Sequence, residues 1–206
     1  MALPQTDAAV HLNSALHYAE VDMYSLMLSS SRSLLDFGDP GSTLLAVRHR
    51  IQKIISVQPS CEHLATLQSI KQVQEAEREG RLKFVQPEIG RVNKKNKPTD
   101  KKSRENWPRY YQQVWEEHPE YKPDLVLING PFPLATSLEA LLHIGPQTRL
   151  LVHRGMASRR FDILLNFCTM EKMVQQLGVF RPKSEDQQDR ELLQELLQQF
   201  AYRPRD

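Results

Sequence analysis

Asp124–Asn129 reads DLVLIN, an apolar run with no polar alternation. A strand with one solvated face alternates, whereas a strand covered on both faces does not, so this run predicts a buried strand of a parallel sheet. Four more strand signals surround it: SRSLLDF before a Gly/Pro turn, KIISV at Lys53–Val57, RLKFV at Arg81–Val85 and TRLLVH at Thr148–His153. Pro59 stops the second of these and Pro87 closes the third. Helical periodicity fills the intervals. It predicts helices from Thr6 to Ser29, from Ser42 to Arg50, from Ser60 to Gly80, from Leu134 to Ile144 and from Phe161 to Leu177. A short strand at Val179–Phe180 and a capped helix over Ser184–Tyr202 complete the pattern. Strands alternating with helices at this spacing predict a doubly wound α/β fold, a mostly parallel sheet with helices on both faces.

Length and composition set the outer limits. At 206 residues one domain is expected over 1–206. It carries an N-terminal helix at 6–30, a basic loop insertion at 91–104 and a C-terminal helix at 184–202. With 40% hydrophobic and 25% charged residues, the chain is neither collagen-like nor wholly disordered. No run approaches the ~18 apolar residues of a membrane span. The opening MALPQTDAAV has neither the basic region nor the apolar core of a secretory signal. An intracellular, reducing compartment is therefore expected, the cytoplasm by default, with an organelle left open. Cys61 and Cys168 are far apart and are read as reduced thiols. Cys61 and His63 have no second pair at zinc-site spacing, so no metal is expected.

The formal charge of +2 conceals an asymmetry. Arg91, Lys94, Lys95, Lys97, Lys101, Lys102 and Arg104 against Asp100 give this segment +6, which leaves the rest of the chain at −4. The segment lacks apolar periodicity and contains Pro98, so it reads as a mobile loop. Lys94, Lys95, Lys101 and Lys102 are its candidate phosphate contacts, which opens a nucleic-acid reading through 91–104. Trp107, Tyr110, Tyr111, Trp115 and Tyr121 follow closely and invite a base-stacking role. Their helical spacing favours packing against the sheet instead.

Four landmarks occur in order: LLDFGDPGST at Leu34–Thr43, ISVQP ending the second strand, DLVLINGPF on the fourth and LLVHRG on the fifth. This series resembles the class I S-adenosylmethionine-dependent methyltransferases. It is similar in particular to a group with a first motif E-Y-G-S-G-G-S-T and a fourth strand ending I-D-G-R-F-R. The resemblance covers roughly residues 10 to 200 and implies a Rossmann-like fold binding S-adenosylmethionine. It implies cofactor contacts at Asp36, Gly38, Gly41 and Ser42, a ribose contact at Gln58, and Asn129 near the transferred methyl.

Departures from the pattern are concentrated in the same pocket. Pro40 stands where the family has glycine, and a loop needing positive φ or that N–H cannot form with proline. Gln58 replaces a ribose-binding acid, and Asn129 and Pro131 replace an aspartate and an arginine. Pro133 replaces a second arginine, and His153-Arg154 replaces His-Asp. Glu88-Ile89-Gly90 conserves the character of the family's Asp-Ile-Gly. Asn129 and His153 are the candidate catalytic residues of an active enzyme. The concurrent losses predict instead a methyltransferase-like pseudoenzyme, without cofactor, acting as a structural or interaction subunit with protein partners. The stripe Leu192, Leu193, Leu196, Leu197 and Phe200 is expected to cover the sheet, or to form a docking face with the N-terminal helix.

Overall fold

The computed structural model describes residues 15–94, 96–153, 159–184 and 187–204. The chain runs α1 (Tyr18–Ser29), β1 (Ser33–Phe37), α2 (Pro40–Arg48), β2 (Lys53–Val57), α3 (Cys61–Gln68), α4 (Lys71–Arg78) and β3 (Leu82–Val85). A 3-10 turn (Lys101–Asn106) then leads to α5 (Arg109–Glu117), β4 (Leu125–Ile128), α6 (Pro133–His143) and β5 (Arg149–His153). A second 3-10 turn (Arg159–Ile163), α7 (Leu164–Phe167), β6 (Cys168–Val174), β7 (Leu177–Pro182) and α8 (Gln187–Phe200) complete it.

The strands form one seven-stranded sheet in the order β3-β2-β1-β4-β5-β7-β6. The first five pair in parallel, whereas β7 runs antiparallel to both β5 and β6. Period-two alternation divides the side chains between two cores. Leu35, Phe37, Val126, Ile128, Leu150 and Val152 pack on one face with α5, α6 and α8. Leu34, Ile54, Leu125, Leu127 and Leu151 pack on the other with α1 and α2. The doubly wound expectation holds. No helix of the described residues is long and apolar enough to cross a membrane.

Several local expectations are corrected. Thr6 and Asp7 lie outside the described residues, and the helix there spans Tyr18–Ser29. The helix expected over Ser60–Gly80 is two helices, broken where Ser69 caps one and Ile70 opens the next. The helix expected over Phe161–Leu177 is mostly a β-hairpin. Its strands β6 and β7 join through Gln175-Gln176, with Gln175 left-handed at φ 53°. That turn carries no Asn-Gly or Gly signal, so its sequence does not announce a hairpin.

The described residues of the basic segment carry local structure. Val92 bridges Pro98, Thr99 donates its N–H to the Arg91 carbonyl at 2.8 Å, and Lys101–Asn106 is helical. Finally, α1 and α8 pack into opposite cores, so they do not form a joint docking face.

Candidate functional site

The sheet reverses its winding between β1 and β4, and ligands of open α/β sheets bind beyond the carboxyl ends of strands at such a point. Phe37-Gly38-Asp39 and Asn129-Gly130-Pro131 occupy those ends. Asp39 was not singled out in the sequence, and it organises the place. It caps α2, its Oδ1 accepting the Ser42 N–H at 3.0 Å. Its Oδ2 accepts from Asn129 Nδ2 at 2.9 Å and from the Ala15 N–H at 2.8 Å. The sequence signal was available: an aspartate followed by proline is an N-cap followed by the preferred first helical residue.

Pro40 is therefore corrected. It sits at the start of α2, where its fixed φ suits the helix and its missing N–H would have lacked a helical partner anyway. Gly38 is needed for space and not for positive φ. A Cβ there would stand 2.2 Å from Ser42 Oγ and 2.3 Å from Asp36 Oδ1. Gly41 and Ser42 are buried in the first turn of α2.

Behind the loop lies a polar network. Asp36 is completely buried, and its carboxylate accepts from Thr43 Oγ1 at 2.7 Å and Ser42 Oγ at 2.9 Å. Burial, which outweighs those bonds, and the nearby Asp39 push its pKa up to about 7. Thr43 Oγ1 lies 2.9 Å from Ser56 Oγ, and Gln58 Nε2 donates to Ser56 Oγ at 3.0 Å and Thr43 Oγ1 at 3.4 Å. Gln58 is fully buried, and its Oε1 has no partner among the described residues.

Across the crevice, Gly130 admits Tyr110. A Cβ on Gly130 would meet the Tyr110 hydroxyl at 2.0 Å and the Phe37 carbonyl oxygen at 2.9 Å. Tyr110 donates weakly to that carbonyl at 3.4 Å. Phe132 follows in a left-handed conformation, φ 56°, which costs a non-glycine residue roughly 1–2 kcal/mol. Its ring is buried against Trp107, Tyr110 and Tyr111, which offsets the strain. Trp107, Tyr110, Tyr111, Trp115 and Tyr121 are all buried, so none of them is a stacking platform. Lys94, Lys101 and Lys102 are exposed, and Lys95 lies outside the described residues.

His153 ends β5 apart from this cluster. Its Nε2 is 3.3 Å from Glu20 Oε2 on α1, and both residues are buried. Glu20 also accepts the His17 N–H at 2.8 Å and the Gln176 N–H at 2.7 Å. A cleft of about 170 Å³ opens beside them, lined by Ala15, His17, Glu20, His153, Gln175 and Gln176. Arg154 falls outside the described residues. The structure thus joins Asp36, Gly38, Ser42 and Gln58 in one cluster and ties Asn129 to it through Asp39. Neither cysteine is in a disulfide; Cys61 is exposed and Cys168 buried.

The described neighbours of this architecture are methyltransferases. A methyltransferase-like protein from Silicibacter pomeroyi superposes with a TM-score of 0.72 at 20% identity, over 92% of this chain and 97% of that one. The fold is methyltransferase-like. An O-methyltransferase from Bacillus cereus in complex with SAH gives 0.53 at 14% identity, over 81% of this chain and 82% of that one. The O-methyltransferase TomG of Streptomyces achromogenes, in complex with SAM, gives 0.54 at 13% identity, over 82% of both chains. No protein-family model and no curated protein matches the sequence.

The methyltransferase-like arrangement allows a test of fit to S-adenosylmethionine. A ribose contact requires an acceptor turned into the crevice. Gln58 Nε2 is committed to Ser56 and Thr43, which leaves Gln58 Oε1 as a buried acceptor without a partner among the described residues. Asn129 Nδ2 is likewise committed to Asp39. Gln58 Oε1 would thus supply an acceptor for a ribose hydroxyl, weaker than the carboxylate of the resembling family.

Proposed function

We propose that this methyltransferase-like protein acts as a structural or interaction subunit of a larger assembly and does not transfer methyl groups. The observation carrying this reading is the fully buried Gln58 amide at the end of β2, whose Nε2 is bound to Ser56. A carboxylate accepts hydroxyl hydrogen bonds about twice as strongly as the amide carbonyl that stands here. Protein partners would find apolar contacts on the two faces separately. Tyr18 and Leu26 are exposed on α1, and Leu192 on α8. Titration calorimetry of the full chain with S-adenosylmethionine and S-adenosylhomocysteine tests the reading. No heat from a folded sample is expected; saturable binding with methyl transfer to any acceptor overturns it.

A second reading, an active S-adenosylmethionine-dependent methyltransferase of unknown acceptor, is favoured by the position of Gly38 and α2 at the switch point. Gln58→Ala separates the two. It weakens cofactor binding in an active enzyme and leaves a scaffold's calorimetry flat. A third reading, phosphate or nucleic-acid contact, is favoured by the exposure of Lys94, Lys101 and Lys102. It requires affinity that falls steeply with salt and disappears when these lysines are neutralised.

A further inference from the structure

Asp36 differs from an ordinary buried carboxylate in what surrounds it. Its hydrogen-bond partners are the neutral Ser42 and Thr43 hydroxyls and the Gly38 backbone. The groups facing it from the packed elements are a second carboxylate, Asp39, and the phenols of Tyr24 on α1 and Tyr110 on α5. Among the described residues, no lysine, arginine or histidine is a main contributor to its charge state.

The hydroxyls linking Asp36 to Gln58 have no fixed direction. Either Thr43 Oγ1 or Ser56 Oγ can donate across their 2.9 Å contact. When Asp36 is ionised, it must accept from Thr43. Thr43 then accepts from Ser56, and Ser56 from Gln58 Nε2, an orientation that the contacts at both ends of the chain match. This leaves Gln58 Oε1 buried and without a partner among the described residues. An ionised carboxylate can only accept, so the charge of Asp36 fixes the direction of the whole chain.

We propose that the Asp36–Thr43–Ser56–Gln58 chain is a proton-operated switch, in which protonation of Asp36 reverses every hydrogen bond and turns the Gln58 amide over. One proton from solvent ends on Asp36 Oδ2. That O–H donates to Thr43 Oγ1, the Thr43 hydroxyl rotates to donate to Ser56, and the Ser56 hydroxyl rotates to donate to Gln58 Oε1. No other covalent bond changes. The amide nitrogen then occupies the place where the carbonyl oxygen stood, so the outer edge of Gln58 changes from acceptor to donor. Burial raises Asp36 to about 7, which puts the transition near neutral pH.

Carbon and nitrogen NMR of the full chain between pH 5 and 9, without ligand, tests the switch separately from the proposed function. The Asp36 carboxyl carbon and the Gln58 side-chain amide are expected to move with one shared midpoint. In Ser56→Ala, which breaks the relay, the Asp36 titration should persist while the Gln58 response is lost. An Asp36 carboxyl that does not titrate in this range, or a Gln58 amide that stays fixed while Asp36 titrates in the wild-type chain, overturns the proposal. The wild-type measurement decides even if the variant fails to fold.

Discussion

Two buried carboxylates stand at the carboxyl edge of the sheet and are held in opposite ways. Glu20 faces the His153 imidazole and two backbone N–H donors, from His17 and Gln176. Asp36 faces two hydroxyls, a backbone N–H and another carboxylate. Glu20 therefore works as a fastener, joining α1 to β5 and to the β6–β7 turn across more than a hundred residues. Asp36 works as a hydrogen-bond terminus whose own ionisation is opposed by its surroundings. The contrast shows that burial alone does not assign a role to an acid; the charge and donor capacity of its partners do.

Removing the fastener should produce the largest effect. Glu20→Ala takes the acceptor from the His17 and Gln176 N–H groups and the carboxylate from beside His153, and leaving buried donors unsatisfied costs about 1–3 kcal/mol each. Urea unfolding at neutral pH would measure it, and a loss below about 1 kcal/mol would show that Glu20 fastens little. Next comes the pH dependence of Asp36. Its folded pKa lies above its ordinary value of 3.8, at about 7. The folded chain therefore binds a proton that the unfolded chain has released. The contribution is fully present below about 4 and is lost as pH rises through 7, on the order of 4 kcal/mol. Asp36→Asn should flatten that part of the stability profile, and an unchanged slope would place the proton elsewhere.

Smaller effects sharpen the comparison at its margins. Asn129→Ala removes one of the bonds on Asp39 Oδ2 and should cost about 1–2 kcal/mol, read as a lowered thermal midpoint. Lys101→Ala and Lys102→Ala, on the exposed 3-10 turn, should change stability by less than about 0.5 kcal/mol. A larger loss would give the basic segment a structural part that its contacts do not indicate.

Much of the site was legible residue by residue. Asp36, Gly38, Ser42 and Gln58 were selected from the sequence and meet in one cluster. Asp39-Pro40 is itself a helix-start signal, and α2 begins at Pro40, two residues before the Ser42 start that the periodicity predicts. His153 was chosen at the correct strand end, but its partner Glu20 is remote in sequence.

The sequence by itself determined the parallel core, because uninterrupted apolar runs such as DLVLIN have few other ways to be buried than between two layers of helix. It also placed amides, Gln58 and Asn129, at the ends of the second and fourth strands, since these are identities and not conformations. The tertiary structure decided the β6–β7 hairpin. Its turn lacks a local signal and is held by a carboxylate from α1. It likewise decided which way Gln58 points, because an amide takes the direction its neighbours' donors and acceptors impose, and those neighbours come from three separate elements.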